Sequence, residues 1–143
     1  MKFTVACIQT NPQTDFHANL EDVASRVAGA ARQGAHIVVL PEMFPYMGNE
    51  PGRLATADAL HEGVFVRLAE MARSNNVHLV GGSHAEKAPG GTHVFNTAVT
   101  YAKTGEMVSV YRKIHLFNLR DGEGKPLYLS LIHISEPTRL RRI

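Results

Sequence analysis

Two charged side chains are set among apolar neighbours in this sequence, and each could do chemistry. Glu42 follows the apolar run Ile37-Val38-Val39-Leu40 and a proline, Pro41. A carboxylate just past the carboxyl end of a buried strand stands where α/β sheets present their reactive groups. Flanking Pro41, Met43 and Phe44 would desolvate it and raise its pKa toward the working range of a general base. A solvated loop glutamate is the plain alternative. Lys113 lies in the run Tyr111-Arg112-Lys113-Ile114-His115-Leu116-Phe117. An ammonium in so apolar a stretch calls for a carboxylate partner or a substrate oxyanion, unless it only guards a sheet edge against aggregation.

Other chemically capable residues carry less. The single cysteine, Cys7, excludes an intrachain disulfide and a Cys-rich zinc site. It sits between Ala6 and Ile8 in an apolar strand, where a buried, inert thiol is expected. Of the eight histidines, His78, His84 and His93 fall on three elements around one loop. No His-x-x-x-His or His–Glu spacing accompanies them, so scattered strand or surface histidines are expected and no metal. Gly81-Gly82 and Gly90-Gly91 follow neither the G-x-G-x-x-G nor the P-loop pattern, which argues against a nucleotide cofactor. Phe44, Tyr46 and Met47 either line a substrate pocket or fold back on the core.

The elements that must position Glu42 and Lys113 can be read in order. Residues 3–9 form a strand closed by Asn11-Pro12. Thr14 or Asp15 caps a helix whose apolar face is Leu20, Val23, Ala24, Val27, Ala30 and Ala31, and Gly34 stops it. Residues 37–40 make a strand covered on both faces. Residues 44–56, with Pro45, Gly48, Pro51 and Gly52, read as an irregular loop. A second helix is expected over 57–73, buried through Leu60, Val64, Leu68 and Met71. A third strand over 77–80 ends in Gly81-Gly82, and a loop spans 84–92. Residues 93–101 and 107–112 pair as a β-hairpin around 103–106. The order β-α-β-α-β-β implies βαβ crossovers, hence an α/β fold with a mixed sheet flanked by helices.

With 44% hydrophobic and 20% charged residues the chain has a globular balance, and 143 residues suffice for one domain. No apolar run approaches the roughly 18 residues of a membrane span, and the start has no signal-peptide pattern, so a cytoplasmic protein without a membrane partner is expected. The net charge of +2 comes from residues 129–143, which carry Arg139, Arg141 and Arg142 against Glu136. Residues 1–128 are neutral and hold no basic stripe, which argues against nucleic acid. Residues 129–139, Leu-Ser-Leu-Ile-His-Ile-Ser-Glu-Pro-Thr-Arg, resemble an in-frame translation of a sequencing adapter. The expectation is therefore a partial domain over 1–128 and a non-native tail over 129–143, the plain alternative being a natural strand from Leu127 to Ile134 followed by a basic end.

Four boxes in this order resemble the nitrilase superfamily of carbon–nitrogen hydrolases: Leu40-Pro41-Glu42-Met43-Phe44, Gly81-Gly82, Asn96-Thr97-Ala98 and the 111–117 run. Val5-Ala6-Cys7-Ile8-Gln9 and the approach Gly34-Ala35-His36-Ile37-Val38-Val39 are similar to it as well. The resemblance implies an α-β-β-α sandwich, here truncated, and a Glu-Lys-Cys triad acting on a small-molecule amide, with no cofactor or metal. It matches Glu42 to the general base and Lys113 to the lysine that stabilises the tetrahedral intermediate. The nucleophile is expected further along, and Cys7 does not match its position. Some members use a second glutamate after the lysine, but neither Asp121 nor Glu123 fits a motif. The ω-amidase-like and Nit-like branches are the nearest in pattern, and a homo-oligomeric full-length parent is implied. A noncatalytic α/β module binding a small ligand through Glu42 and Lys113 is the alternative. Because residues 1–128 supply little more than one of two sheets, the faces around Val38, Val39, Val80, Val99 and Val108 are expected to be partly open.

Overall fold

The computed structural model describes residues 2–90 and 94–114. The 129–143 tail, His93, His115, Asp121 and Glu123 lie outside the described residues. The elements run β1 (Val5–Cys7), α1 (Phe16–Arg32), β2 (Ile37–Val39), α2 (Glu50–Ala55), α3 (Gly63–Asn75), β3 (His78–Lys87), β4 (Val94–Tyr101) and β5 (Met107–Arg112). One mixed sheet takes the strands in chain order: β1, β2 and β3 are parallel, and β3, β4 and β5 antiparallel.

Helix α1 begins where the Asp15 carboxylate accepts the Ala18 N–H at 3.0 Å and stops at Gly34, φ 85°. Its buried stripe is Leu20, Val23 and Val27. Helix α3 buries Val64, Phe65, Leu68, Met71 and Ala72. Both helices lie on one face of the sheet, over Val38, Leu40, Leu79, Val99 and Tyr101. Each large apolar side chain buried there stabilises the fold by about 1.5–3 kcal/mol. The Tyr101 hydroxyl donates to the Phe65 carbonyl at 2.7 Å, so the buried phenol has a partner; burial pushes its pKa up to about 12.

Several expectations need correction. Residues 44–56 contain helix α2, because the Asn49 side chain accepts the Gly52 N–H at 2.9 Å and Pro51 opens its first turn. Helix α3 starts at Gly63 rather than residue 57. β2 covers only the first three residues of β3, and the chain at Asp58 pairs alongside β3 instead, with Asp58 N–H on the Ala85 carbonyl at 3.2 Å and Lys87 N–H on the Asp58 carbonyl at 2.8 Å. β3 does not stop at Gly81-Gly82 but continues to Lys87 through a bulge, so residues 84–87 are strand and not loop. Val38 and Val99 are fully buried under the helices. The open side of the sheet holds the half-buried Val39 and Val80 instead.

Candidate functional site

The bulge in β3 sets the position of Glu42. Val80 pairs with Thr100 and Ser83 with Ala98, so Gly81 and Gly82 together oppose the single residue Val99. Gly82 has φ 59°, and a Cβ on it would collide with the Pro41 carbonyl oxygen. Only glycine allows this approach. The bulge then grips the turn after β2: Ser83 N–H donates to the Pro41 carbonyl at 3.4 Å, and Met43 N–H donates to Ser83 Oγ at 3.0 Å. Phe44 is buried just beyond. Glu42 is thus fixed between two anchored neighbours, on the sheet face opposite the helices.

Lys113 follows directly on β5, an edge strand, and its N–H bonds the Asn96 carbonyl at 2.9 Å. Side chains alternate along a strand, so Asn96 and Lys113 point to the face that carries Glu42, while Thr97 and Arg112 point to the other. Lys113 Nζ donates to Glu42 Oε1 at 2.8 Å, and Asn96 Nδ2 donates to the same oxygen at 2.7 Å. The described residues place no donor on Glu42 Oε2. The cleft around the pair, about 410 Å³, is lined by Val80, Gly82, Ser83, Ala98 and Tyr111 as well. Asn96 Oδ1 is buried in it with no hydrogen-bond partner among the described residues.

The expected pKa of Glu42 is corrected by this geometry. The Lys113 ammonium holds the carboxyl below the usual glutamate value, partial burial opposes this, and the Asn96 hydrogen bond adds to the lowering. Flanking Phe44 does not desolvate the carboxylate because it turns into the core, and the Glu42 side chain keeps 57% exposure. What results is a carboxylate that stays ionised at neutral pH, next to a cation and beneath open space.

The remaining candidates separate from this cleft. Cys7 is exposed, not buried, because β1 is the outer strand of the sheet. It lines a different groove, between β1 and α1, with Arg26, Gly29 and Gln33. Phe44 and Tyr46 fold into the core, whereas Met47 is 55% exposed and absent from the lining of the cleft. His84 is buried, its Nε2 3.1 Å from Asp58 Oδ2. Burial pushes the Asp58 carboxyl up, but bonds from His84 and the Val64 N–H outweigh it and leave the pKa lowered. Among the described residues no three His, Cys, Asp or Glu side chains gather into a possible metal site. No helix there is long and apolar enough to cross a membrane.

The family model for carbon–nitrogen hydrolases matches residues 4–135 of this chain. The chain belongs to the carbon–nitrogen hydrolase family. It is 30% identical over 129 residues to a deaminated glutathione amidase of Synechocystis, covering 90% of this chain and 47% of the relative. It is 33% identical over 123 residues to the mouse omega-amidase NIT2, covering 86% of this chain and 44% of the relative. The chain therefore spans less than half the length of these curated relatives. Among solved structures it resembles the NitFhit protein of C. elegans, with a TM-score of 0.76 at 25% identity over 90% of this chain and 33% of that one. The fold is that of the nitrilase superfamily, and the two curated relatives are named as amidases.

In this carbon–nitrogen hydrolase chain two residues that line the cleft, Asn96 and Ser83, and one behind it, Glu86, carry no local signal of a role in the sequence. Asn96 entered only within a box. The alternation of β4 puts it on the same side as Ala98, which is the signal that could have paired it with Lys113. Ser83 lay beyond the supposed end of its strand. Glu86 was lost in a supposed loop, yet it is buried and fully bonded.

Proposed function

We propose that this chain is part of an amidase-type carbon–nitrogen hydrolase in which Glu42 is the general base and Lys113 stabilises the tetrahedral intermediate. The nucleophile would be a cysteine outside this sequence. The observation that carries the reading is the 2.8 Å Lys113–Glu42 pair, joined by Asn96 on one carboxylate oxygen, in a cleft on the sheet face opposite the helices. The names of the relatives support amidase chemistry, and the substrate class would be small molecules with non-peptide amide C–N bonds. In the proposed reaction Glu42 takes the thiol proton and the thiolate attacks the amide carbon. The carbonyl oxygen becomes an oxyanion facing Lys113. The C–N bond then breaks, the amine leaves with a proton, and water releases the acid from the thioester.

The depressed pKa of Glu42 suits this sequence of events. When the carbonyl oxygen of a bound amide draws Lys113 toward it, the contact that weakens Glu42 as a base is loosened before the thiol proton is taken, so the carboxylate gains basicity for that step. Nothing in the scheme calls for a metal or cofactor. The same reading places the enzyme in the cytoplasm, as a homo-oligomer in its full-length form and with no nucleic-acid partner. It treats residues 129–143 as foreign to the enzyme.

The test is an assay of this chain beside a full-length relative, with ω-amides and simple aliphatic amides. No turnover is expected from this chain, since Cys7 lies in a different groove. Turnover abolished by Cys7→Ala would show the nucleophile to be misassigned. Reading the encoding DNA past the Tyr128 codon decides the rest. A downstream cysteine-bearing strand supports the enzyme, and in that extended protein Glu42→Gln should lose about 10²–10⁴-fold in kcat. A natural stop near residue 143 in independent genomes would support a binding module instead.

A further inference from the structure

Directly behind the cleft, on the helix side of the sheet, lies a buried carboxylate that the reaction scheme does not use. Glu86 is 4% exposed. Its Oε1 accepts Arg112 Nη2 at 2.6 Å, and its Oε2 accepts Arg112 Nε at 2.8 Å and Thr97 Oγ1 at 2.6 Å. The guanidinium also lies over the Phe95 ring, 5.0 Å from its centroid. The Glu86 carboxylate holds Arg112 above its ordinary pKa, against the opposing effect of burial. Arg112 and Thr97 are register partners across β4 and β5. The residues next to them, Lys113 and Asn96, are the two that bind Glu42 on the other face.

We propose that Glu86 is a positioning residue: by tying Arg112 and Thr97 together, it holds Lys113 and Asn96 at the spacing at which both reach Glu42 Oε1. This rests on the reading of Glu42 and Lys113 as the reacting pair. The physical need is clear. β5 is the outer strand and Lys113 stands at its end, where strands fray. A lysine side chain has large rotamer entropy opposing any fixed position. A bidentate, charge-assisted clamp one residue earlier removes the backbone part of that freedom. Buried ion pairs need not add stability over apolar packing, so a clamp on the back of the site gives this one a purpose.

The test is a 13C NMR titration of the Glu42 carboxyl in the full chain, in dilute solution, with and without Glu86→Gln. Two effects of the substitution have opposite signs. Removing a nearby negative charge and freeing Arg112 would lower the pKa of Glu42, whereas losing the Lys113 and Asn96 contacts would raise it. The proposal expects an upward shift toward the ordinary glutamate value, and a smaller upward shift for Thr97→Val. An unchanged or lowered Glu42 titration in folded Glu86→Gln overturns it. Should that variant fail to fold, Arg112→Lys decides: it keeps both charges but loses the bidentate geometry, and an unmoved Glu42 there overturns the proposal as well. If Glu42 titrates at its ordinary value in the unaltered chain, it is the Glu42–Lys113 pair that fails, and the two failures are told apart.

Discussion

At the scale of residues, the contact of most consequence is two donors on one oxygen. Lys113→Met removes the cation and leaves Asn96, so the Glu42 pKa should rise, readable by carboxyl NMR. The sign for stability follows from linkage. The folded-state pKa of Glu42 lies below its unfolded value, so the pair stabilises the fold above the ordinary glutamate value. That stabilisation is lost as pH falls through the lowered folded value. Since Glu42 is more than half exposed, the contribution is at most about 1 kcal/mol. Thermal melts of the parent and Lys113→Met should therefore differ slightly at neutral pH and converge in acid; a gap that widens in acid contradicts the pairing. Glu42 and Lys113 stand out as candidates because each is a charge in an apolar run bounded by strand signals, but it is the resemblance of the boxes around them that joins the two. The direction of the Glu42 pKa was not legible in the sequence, because it depends on a contact across 71 positions of chain that no local pattern encodes.

At the scale of elements, the site depends on a strand that bends without ending. A Gly-Gly pair at the end of an apolar run reads as a stop, and here it is a bulge that carries β3 onward to Glu86 and Lys87. The continuation was hidden because its buried residues are polar: His84 is satisfied by Asp58, and Glu86 by Arg112 and Thr97. Hydrophobic periodicity cannot detect a strand whose inward face is hydrogen-bonded rather than apolar. The start of α3 was misplaced for a related reason, since Asp58 pairs beside β3 and its carboxylate accepts the Val64 N–H at 2.9 Å. Asp58→Ala should thus cost about 1–3 kcal/mol by stripping partners from buried His84 and from the helix start, measurable by urea unfolding. Gly82→Ala should act differently. A left-handed position occupied by an L-residue costs about 1–2 kcal/mol, and relief of the collision with the Pro41 carbonyl must shift the turn that holds Glu42. Its chemical shifts at Glu42 and Met43 should move, while a Gly90→Ala control, with open space around it, leaves them in place.

At the scale of the whole molecule, the two sides of the sheet are unlike. One is closed by α1 and α3, and the alternation of strand residues puts Val38, Leu79, Val99 and Tyr101 beneath them. The other carries Val5 at 53% and Tyr111 at 52% exposure, with Val39, Val80 and Ala98 half-buried on the strands between. A strip of that kind across a sheet marks a surface meant for contact, since monomers rarely leave large contiguous apolar patches in water. In the two-sheet sandwich that the resemblance implies, this face would pack against a second layer. The chain should therefore self-associate reversibly and bind an apolar dye, with sedimentation that changes on dilution. Tyr111→Lys and Val5→Lys together should reduce both. Leu68→Ala on the helix side should instead lower stability by about 2–5 kcal/mol without reducing dye binding in the folded chain. If the chain sediments as a monomer at every concentration and binds no dye, the face opposite the helices is not sticky, and the expectation that it packs against a second layer loses its physical basis.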